Sequence, residues 1–121
     1  MNPGDAFFWN QVAVGSHLWV CLTGPRGEPA EVLIVSLSTR RRNSDTSCVL
    51  SVGEHEFIQH ETVVRYDSAR WMQVSFVAQW CELRDPIPEN VMRRIYDGAA
   101  ASPQIALDYL QDLTDLGFID P

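Results

Sequence analysis

Ser38-Thr39-Arg40-Arg41-Arg42 is the one basic cluster in the chain, and it follows directly on the most apolar run. Two hydroxyls at a strand end are rigidly held, and three guanidiniums stand beside them. An arginine fork matches two oxygens of a phosphate, so the pattern offers a phosphate contact; it also reads as a solvated loop. Gly53-Glu54-His55-Glu56-Phe57-Ile58-Gln59-His60-Glu61 holds two of the three histidines. Imidazole is the side chain best poised for proton transfer near neutral pH. The spacing His-Glu-x-x-x-His is one residue too long for the helical zinc motif, so no metal ligand set is expected, and polar residues framing a hairpin are the plain alternative. The third histidine, His17, heads a short apolar run; it fits a structural hydrogen-bonder as well as a catalytic group. Trp9 and Trp71 are candidates for stacking on a nucleic-acid base, although most aromatic residues sit in core-like contexts.

No GxSxG, P-loop or GxGxxG occurs, which removes the usual support for a serine hydrolase, an NTPase or a dinucleotide enzyme. Cys21, Cys48 and Cys81 are odd in number and far apart, with no CxxC. That argues against a disulfide framework or zinc site and fits buried thiols in a reducing cytoplasm.

The elements that must position these groups divide into two parts. Residues 1–81 read as β. Ala6-Phe7-Phe8-Trp9 follows a Pro-Gly-Asp turn, Leu18-Trp19-Val20-Cys21-Leu22 ends at Gly24-Pro25-Arg26-Gly27, and Val32-Leu33-Ile34-Val35 leads into the Ser38–Ser47 polar loop. Cys48-Val49-Leu50, a Gly53 turn and Glu61-Thr62-Val63-Val64-Arg65-Tyr66 come next. Met72, Val74, Phe76, Ala78 and Trp80 then alternate with mostly polar neighbours, the period of a strand. Short strands at this spacing predict a small barrel or sandwich. Residues 82–121 read as helical. Asp85-Pro86-Ile87-Pro88-Glu89 starts a helix carrying Val91, Met92, Ile95 and Tyr96, with Gly98 as its stop. Ser102-Pro103 opens a second helix striped by Ile105, Tyr109, Leu110, Leu113 and Leu116, and Gly117 caps it so that Phe118 and Ile119 fold back.

At 121 residues and 45 % hydrophobic the chain predicts one domain with a real core. Every basic residue but histidine is Arg, and the formal net charge is −7. An acidic chain is a poor general binder of nucleic acid or anionic membrane. The excess is uneven: residues 1–81 hold eight acids and six Arg, residues 82–121 eight acids and three Arg. A polyanion therefore has to bind the first part. No run approaches a membrane span, and Met1-Asn2-Pro3-Gly4-Asp5 opens no signal peptide, so a cytoplasmic protein with no membrane partner is expected.

The ordered pieces resemble the MazF/PemK toxins. Gly4-Asp5-Ala6-Phe7-Phe8-Trp9 is similar to that family's opening strand. His17-Leu18-Trp19-Val20-Cys21-Leu22-Thr23 sits where the family has Arg-Pro-x-Val-Val-Leu-Ser, and Val32 to Thr39 resembles its strand ending in Thr-Ser. Gly53-Glu54-His55-Glu56-Phe57-Ile58, with His60 and Tyr66, resembles the Gly-Asp-His-Pro-Phe-Ile signature of a PemK-like branch. Pro86 to Gly98 resembles that branch's acidic, proline-started helix. The resemblance covers about residues 4–101 and leaves out the final helix.

The resemblance implies an α+β, mainly β fold: an SH3-like small β-barrel of the MazF/PemK type followed by two C-terminal helices. It implies a homodimeric, metal-independent endoribonuclease that cleaves single-stranded RNA without a cofactor and is held inactive by a cognate antitoxin. Family catalysis leans on the second-strand Arg and the third-strand Thr. Here His17 stands at the Arg position, Leu18 at the neighbouring Pro, and Ser38 at the Thr position with Thr39 beside it. A replacement set is present: His17 as base or acid with His55 as its complement, Ser38 or Thr39 donating to the phosphate, and Arg40, Arg41, Arg42 and His60 holding RNA. The loop before His17, residues 10–16, is short; in the family it closes over RNA and meets the antitoxin. The competing reading is a catalytically inactive barrel acting as a protein-binding module, favoured by the acidity and the missing Arg. A third reading, an acidic mimic that inhibits a nuclease, draws on the acidic C-terminal part.

Overall fold

The computed structural model describes residues 1–11 and 15–121. Six antiparallel strands form one curled sheet, a half-barrel: β1 (Ala6–Gln11), β2 (Gly15–Cys21), β3 (Glu31–Thr39), β4 (Val49–Leu50), β5 (Thr62–Gln73) and β6 (Glu82–Arg84), in the order β4-β5-β3-β2-β1-β6. Among the described residues three helices complete it: α1 (Val74–Trp80), α2 (Glu89–Ala101) and α3 (Leu107–Asp115). The fold is thus α+β and mainly β, compatible with the small barrel expected from the strand spacing.

Both faces of the central strands are buried. Along β2 and β3 alternate residues go to opposite sides, as the pleat requires. Leu18, Val20, Leu33, Val35 and Leu37 join the main core beneath α2 and α3, whereas Trp19, Cys21, Val32 and Ile34 pack with Phe7 and Val77 on the other face. That second core explains α1, which stands where alternation predicts strand. The β3–β5 ladder runs out at Glu31↔Gln73, so a longer β5 would leave its backbone without a partner. The chain instead turns helical, and Val74, Val77 and Cys81, three and four apart, meet the second core.

Two further boundaries differ from the sequence reading for packing reasons. Gly98 does not stop α2; it lies inside the helix, and a Cβ there would meet the Tyr66 hydroxyl at 2.3 Å and Cys48 Cβ at 2.8 Å. The glycine lets α2 press onto β5, where the Tyr66 hydroxyl donates to the Ile95 carbonyl at 2.6 Å. Ser102 does not open α3; it is the C-cap of α2, because its hydroxyl donates across to Asp45 at 2.5 Å and accepts the Gln104 N–H. The start of α2 behind Pro88 and the cap at Gly117 are as expected. Gly117 has φ +85°, and the Phe118 N–H returns to the Leu113 carbonyl at 2.9 Å. Phe118 then stacks on Tyr96, whose hydroxyl donates to the Leu22 carbonyl.

The open side of the half-barrel is bridged by residues 51–61, between β4 and β5. Phe57 stacks on Phe8 of β1 with centroids 5.4 Å apart, and the Arg84 guanidinium lies 4.7 Å from the Phe57 centroid. Glu54 pairs with Arg94 of α2, which also donates to the Val49 carbonyl.

Two carboxyls in these joints are held below their ordinary range. At Asp45 burial pushes the pKa up, but hydrogen bonds from Ser102 and Ser47 outweigh it; at Glu54 the Ser51 N–H is the largest cause, with Arg94 adding to it against some desolvation. A carboxyl depressed in the folded state stabilises it above the ordinary carboxylate range, and that contribution is lost as pH falls through the folded value. Asp45→Asn should therefore lower the urea midpoint at pH 7 and flatten its decline below about pH 4, the ordinary carboxylate range. Gly98→Ala should cost about 1–3 kcal/mol or more in urea unfolding through overpacking. Gly24→Ala, where an added Cβ meets nothing within 4 Å, should leave the midpoint unchanged.

Candidate functional site

The sheet forks where the chemistry-bearing residues lie. The β2–β3 ladder ends at Leu18↔Leu37. Beyond it β2 continues to Gly15 paired to β1, and β3 continues to Thr39 paired to β5 through Ser38↔Val63 and Thr39↔Thr62. His17 and Ser38 are the first residues past the last pair, one on each arm. The gap between the arms is a cleft of about 440 Å³. His17, Ser38, Thr39 and Arg41 line it, together with Ser16, Thr62 and Arg65, over an apolar floor that includes Phe8, Leu18, Leu37, Phe57 and Ile58.

Its electrostatics are unlike those of the chain as a whole. The molecule carries 16 acids against nine Arg, yet among the described residues the cleft lining holds two Arg and a His and no carboxylate. Arg41 sits in a turn closed from both sides: its N–H donates to Ser44 Oγ at 2.7 Å, and the Ser44 N–H donates to the Arg41 carbonyl at 3.2 Å. Its guanidinium makes no ion pair among the described residues. Arg65 is oriented by a fork onto Asp67, at 3.2 and 2.8 Å. A bulge in β5, where the register slips between Ile34 and Ser36, fixes its backbone. There Ser68 Oγ donates to the Arg65 carbonyl at 2.6 Å and accepts the Ser36 N–H at 2.9 Å.

The other expected site residues lie elsewhere. His55 is buried and does not line the cleft. Its Nε2 donates to the Asp85 carbonyl at 2.6 Å, and its Nδ1 accepts the Phe57 N–H at 3.2 Å. A carbonyl can only accept, so the proton sits on Nε2 and both nitrogens are engaged. The structure therefore does not bring His55 to His17 as a complementary acid or base; His55 clasps the loop to the end of β6. Arg40 is exposed and paired with Glu61, and its N–H donates to the Glu61 carbonyl. Arg42 and His60 are exposed outside the cleft. Trp9 packs on Trp19 and Phe76 beside Arg70, and Trp71 donates to Asp112 of α3 beneath Arg26, so both indoles serve packing. The expected loop 10–16 is largely strand, Asn10–Gln11 ending β1 and Gly15–Ser16 starting β2; residues 12–14 lie outside the described residues.

Sequence reasoning missed Arg65, Thr62, Phe8 and Phe57. Arg65 was visible as a polar residue in a strand-forming run, but its place in the cleft depends on β5 pairing with β3. Among the described residues no three His, Cys, Asp or Glu side chains gather as a metal site, and no helix is long and apolar enough to cross a membrane. Cys21 and Cys48 are buried and Cys81 is half-buried, all as free thiols; burial, with Asp5 adding to it, pushes Cys21 up to about 12. No family model matches the chain, and no curated protein matches it in sequence.

His55→Ala leaves the Asp85 carbonyl and Phe57 N–H without their partner. It should destabilise the fold by about 2–4 kcal/mol in urea unfolding.

Proposed function

We propose that the cleft binds the phosphate backbone of single-stranded RNA and cleaves it without a metal, as a toxin of the MazF/PemK kind with a cognate antitoxin, working as a cytoplasmic homodimer. The observation that carries this reading is a lining of His17, Ser38, Thr39, Arg41 and Arg65, with no carboxylate among the described residues that line it, in an otherwise acidic molecule. The resemblance of the ordered motifs to that family's supports it.

In this reading the phosphate sits in the fork. Ser38 and Thr39 hydroxyls donate to its oxygens, and Arg41 and Arg65 offset the charge that builds on the phosphorane. His17 takes the proton from the ribose 2′-hydroxyl, whose oxygen attacks the adjacent phosphorus. The bond to the 5′-oxygen breaks, that oxygen takes a proton from solvent, and the products are a 2′,3′-cyclic phosphate and a 5′-hydroxyl. Phe8 and Phe57 offer apolar surface to a neighbouring base.

One observation favours the second reading, a binding module without catalysis. His55 is committed to the clasp, so the cleft holds one titratable ring where acid–base cleavage works best with two.

Incubation of the protein with a long single-stranded RNA in EDTA decides between them. Discrete fragments ending in cyclic phosphate are expected, with cleavage reduced about 100-fold or more in His17→Ala, the size of a lost general base. Intact RNA at high protein concentration overturns catalysis, and RNA retained on the protein but uncut supports the binding module.

A further inference from the structure

The two edges of the sheet are finished differently. β4 and β6 end the strand order. At β4 the Val49 carbonyl is taken by Arg94. β6 pairs only with β1 among the described residues. Backbone alternation says which of its groups face outward. The Cys21 N–H donates to the Asp5 carbonyl at 2.9 Å, so Asp5 and Phe7 turn their backbone groups to β2, and Ala6 and Phe8 turn theirs to β6. Their partners Arg84 and Glu82 turn back to β1, which leaves the N–H and C=O of Leu83 pointing out of the sheet. Asp85, two residues on, turns the same way, and its carbonyl takes His55. Among the described residues no hydrogen bond reaches the Leu83 backbone, and Leu83 is 65 % exposed. It shares the face of Phe7, on which α1 packs, and Trp80 at the end of α1 is 64 % exposed.

We infer that a second copy of the chain docks on this edge, by antiparallel pairing of β6 with itself about Leu83. The inference gives the homodimer of the reading above its interface, and rests on that part of it alone. The strand is self-complementary. A two-fold axis between the Leu83 residues sets Glu82 of each copy opposite the partner's Arg84. The Leu83 N–H and C=O then exchange two hydrogen bonds with the partner's Leu83, and the two leucine side chains meet on the α1 face. Charges on an edge strand ordinarily guard it against a second copy. Here they are opposite in sign on either side of Leu83, so they attract one. Arg84 has capacity for a second carboxylate: one guanidinium nitrogen pairs with Glu82 of its own strand at 3.0 Å, and it has no other ion pair among the described residues. An unrelated strand matches this pattern only by chance, whereas the chain's own edge matches it by symmetry.

Sedimentation equilibrium of the full chain tests the pairing. The native protein should show a dimer fraction that rises with concentration, and Leu83→Asp should leave a monomer. Glu82→Arg, at an exposed residue, places like charges opposite each other twice and should weaken the dimer about tenfold. Arg84→Glu should do the same, and an equimolar mixture of these two variants should recover a heterodimer, since Arg then faces Glu at both places. Arg84 also touches Phe57, so one further readout leaves it native. Leu83→Cys, with Cα atoms about 5.5 Å apart across the axis, should form a reducible dimer on oxidation; Leu107→Cys, exposed on α3, should not. A native protein that stays monomeric at every concentration overturns the pairing and the homodimer together. A dimer that Leu83→Asp and Glu82→Arg leave intact, and that Leu83→Cys does not lock, overturns this edge and leaves the homodimer to another surface. RNA cleavage is read separately, in the EDTA assay.

Discussion

β3 pairs with β2 over four residues and with β5 over eight, and that inequality creates the cleft. A sheet whose ladders all ran to the same length would present a closed surface at this end. Because the β2–β3 ladder stops early, two arms separate, each held rigid by its outer neighbour. The residues at the fork are then fixed by hydrogen-bonded strands and not by loops, which suits a site whose groups have to hold their geometry. The bulge on β5 acts at the same place. It adds residues opposite Ile34 to Ser36, and Ser68 satisfies the Ser36 N–H that the slip frees.

The helices α2 and α3 cover one face of this sheet with a shared apolar core, and a few polar contacts fix their register on it. Gly98 admits the Tyr66 hydroxyl to the backbone of α2. Tyr96 reaches the Leu22 carbonyl, and Trp71 joins α3 to β5 through Asp112. Each of these polar tips sits on a large apolar body, so burial and a fixed register come together. Burial by desolvation raises the pKa of both tyrosine hydroxyls, which keeps them protonated donors across the physiological range.

Much of this was legible in the sequence where one local rule decides. The apolar runs of β2 and β3, the proline-started α2 and the glycine cap after α3 follow from patterning and cap chemistry alone. Misreadings occurred where tertiary contacts decide. Val74 to Trp80 alternates like a strand, but its ladder partner is gone. Gly98 looks like a stop, but its missing Cβ is needed mid-helix. Ser102 looks like an N-cap, but Asp45 claims its hydroxyl. The same division runs through the site. His17, Ser38, Thr39 and Arg41 could be named from their types at strand ends. Arg65 needed the strand order, and the buried duty of His55 needed the Asp85 carbonyl, a backbone atom that no side-chain motif reveals.

The clasp by His55 has a consequence for how such a protein can change over time. The loop that closes the half-barrel also delivers Phe57 to the cleft, so stability and ligand contact share one short stretch of chain. A substitution that reshapes the loop for a new ligand also loosens the closure, and one that strengthens the closure also moves the cleft wall. The arms of the fork are free of that bargain, because their strands are anchored on β1 and β5. Divergence among proteins built this way should collect at the tips of the arms, while the residues around the clasp stay fixed by the need to fold.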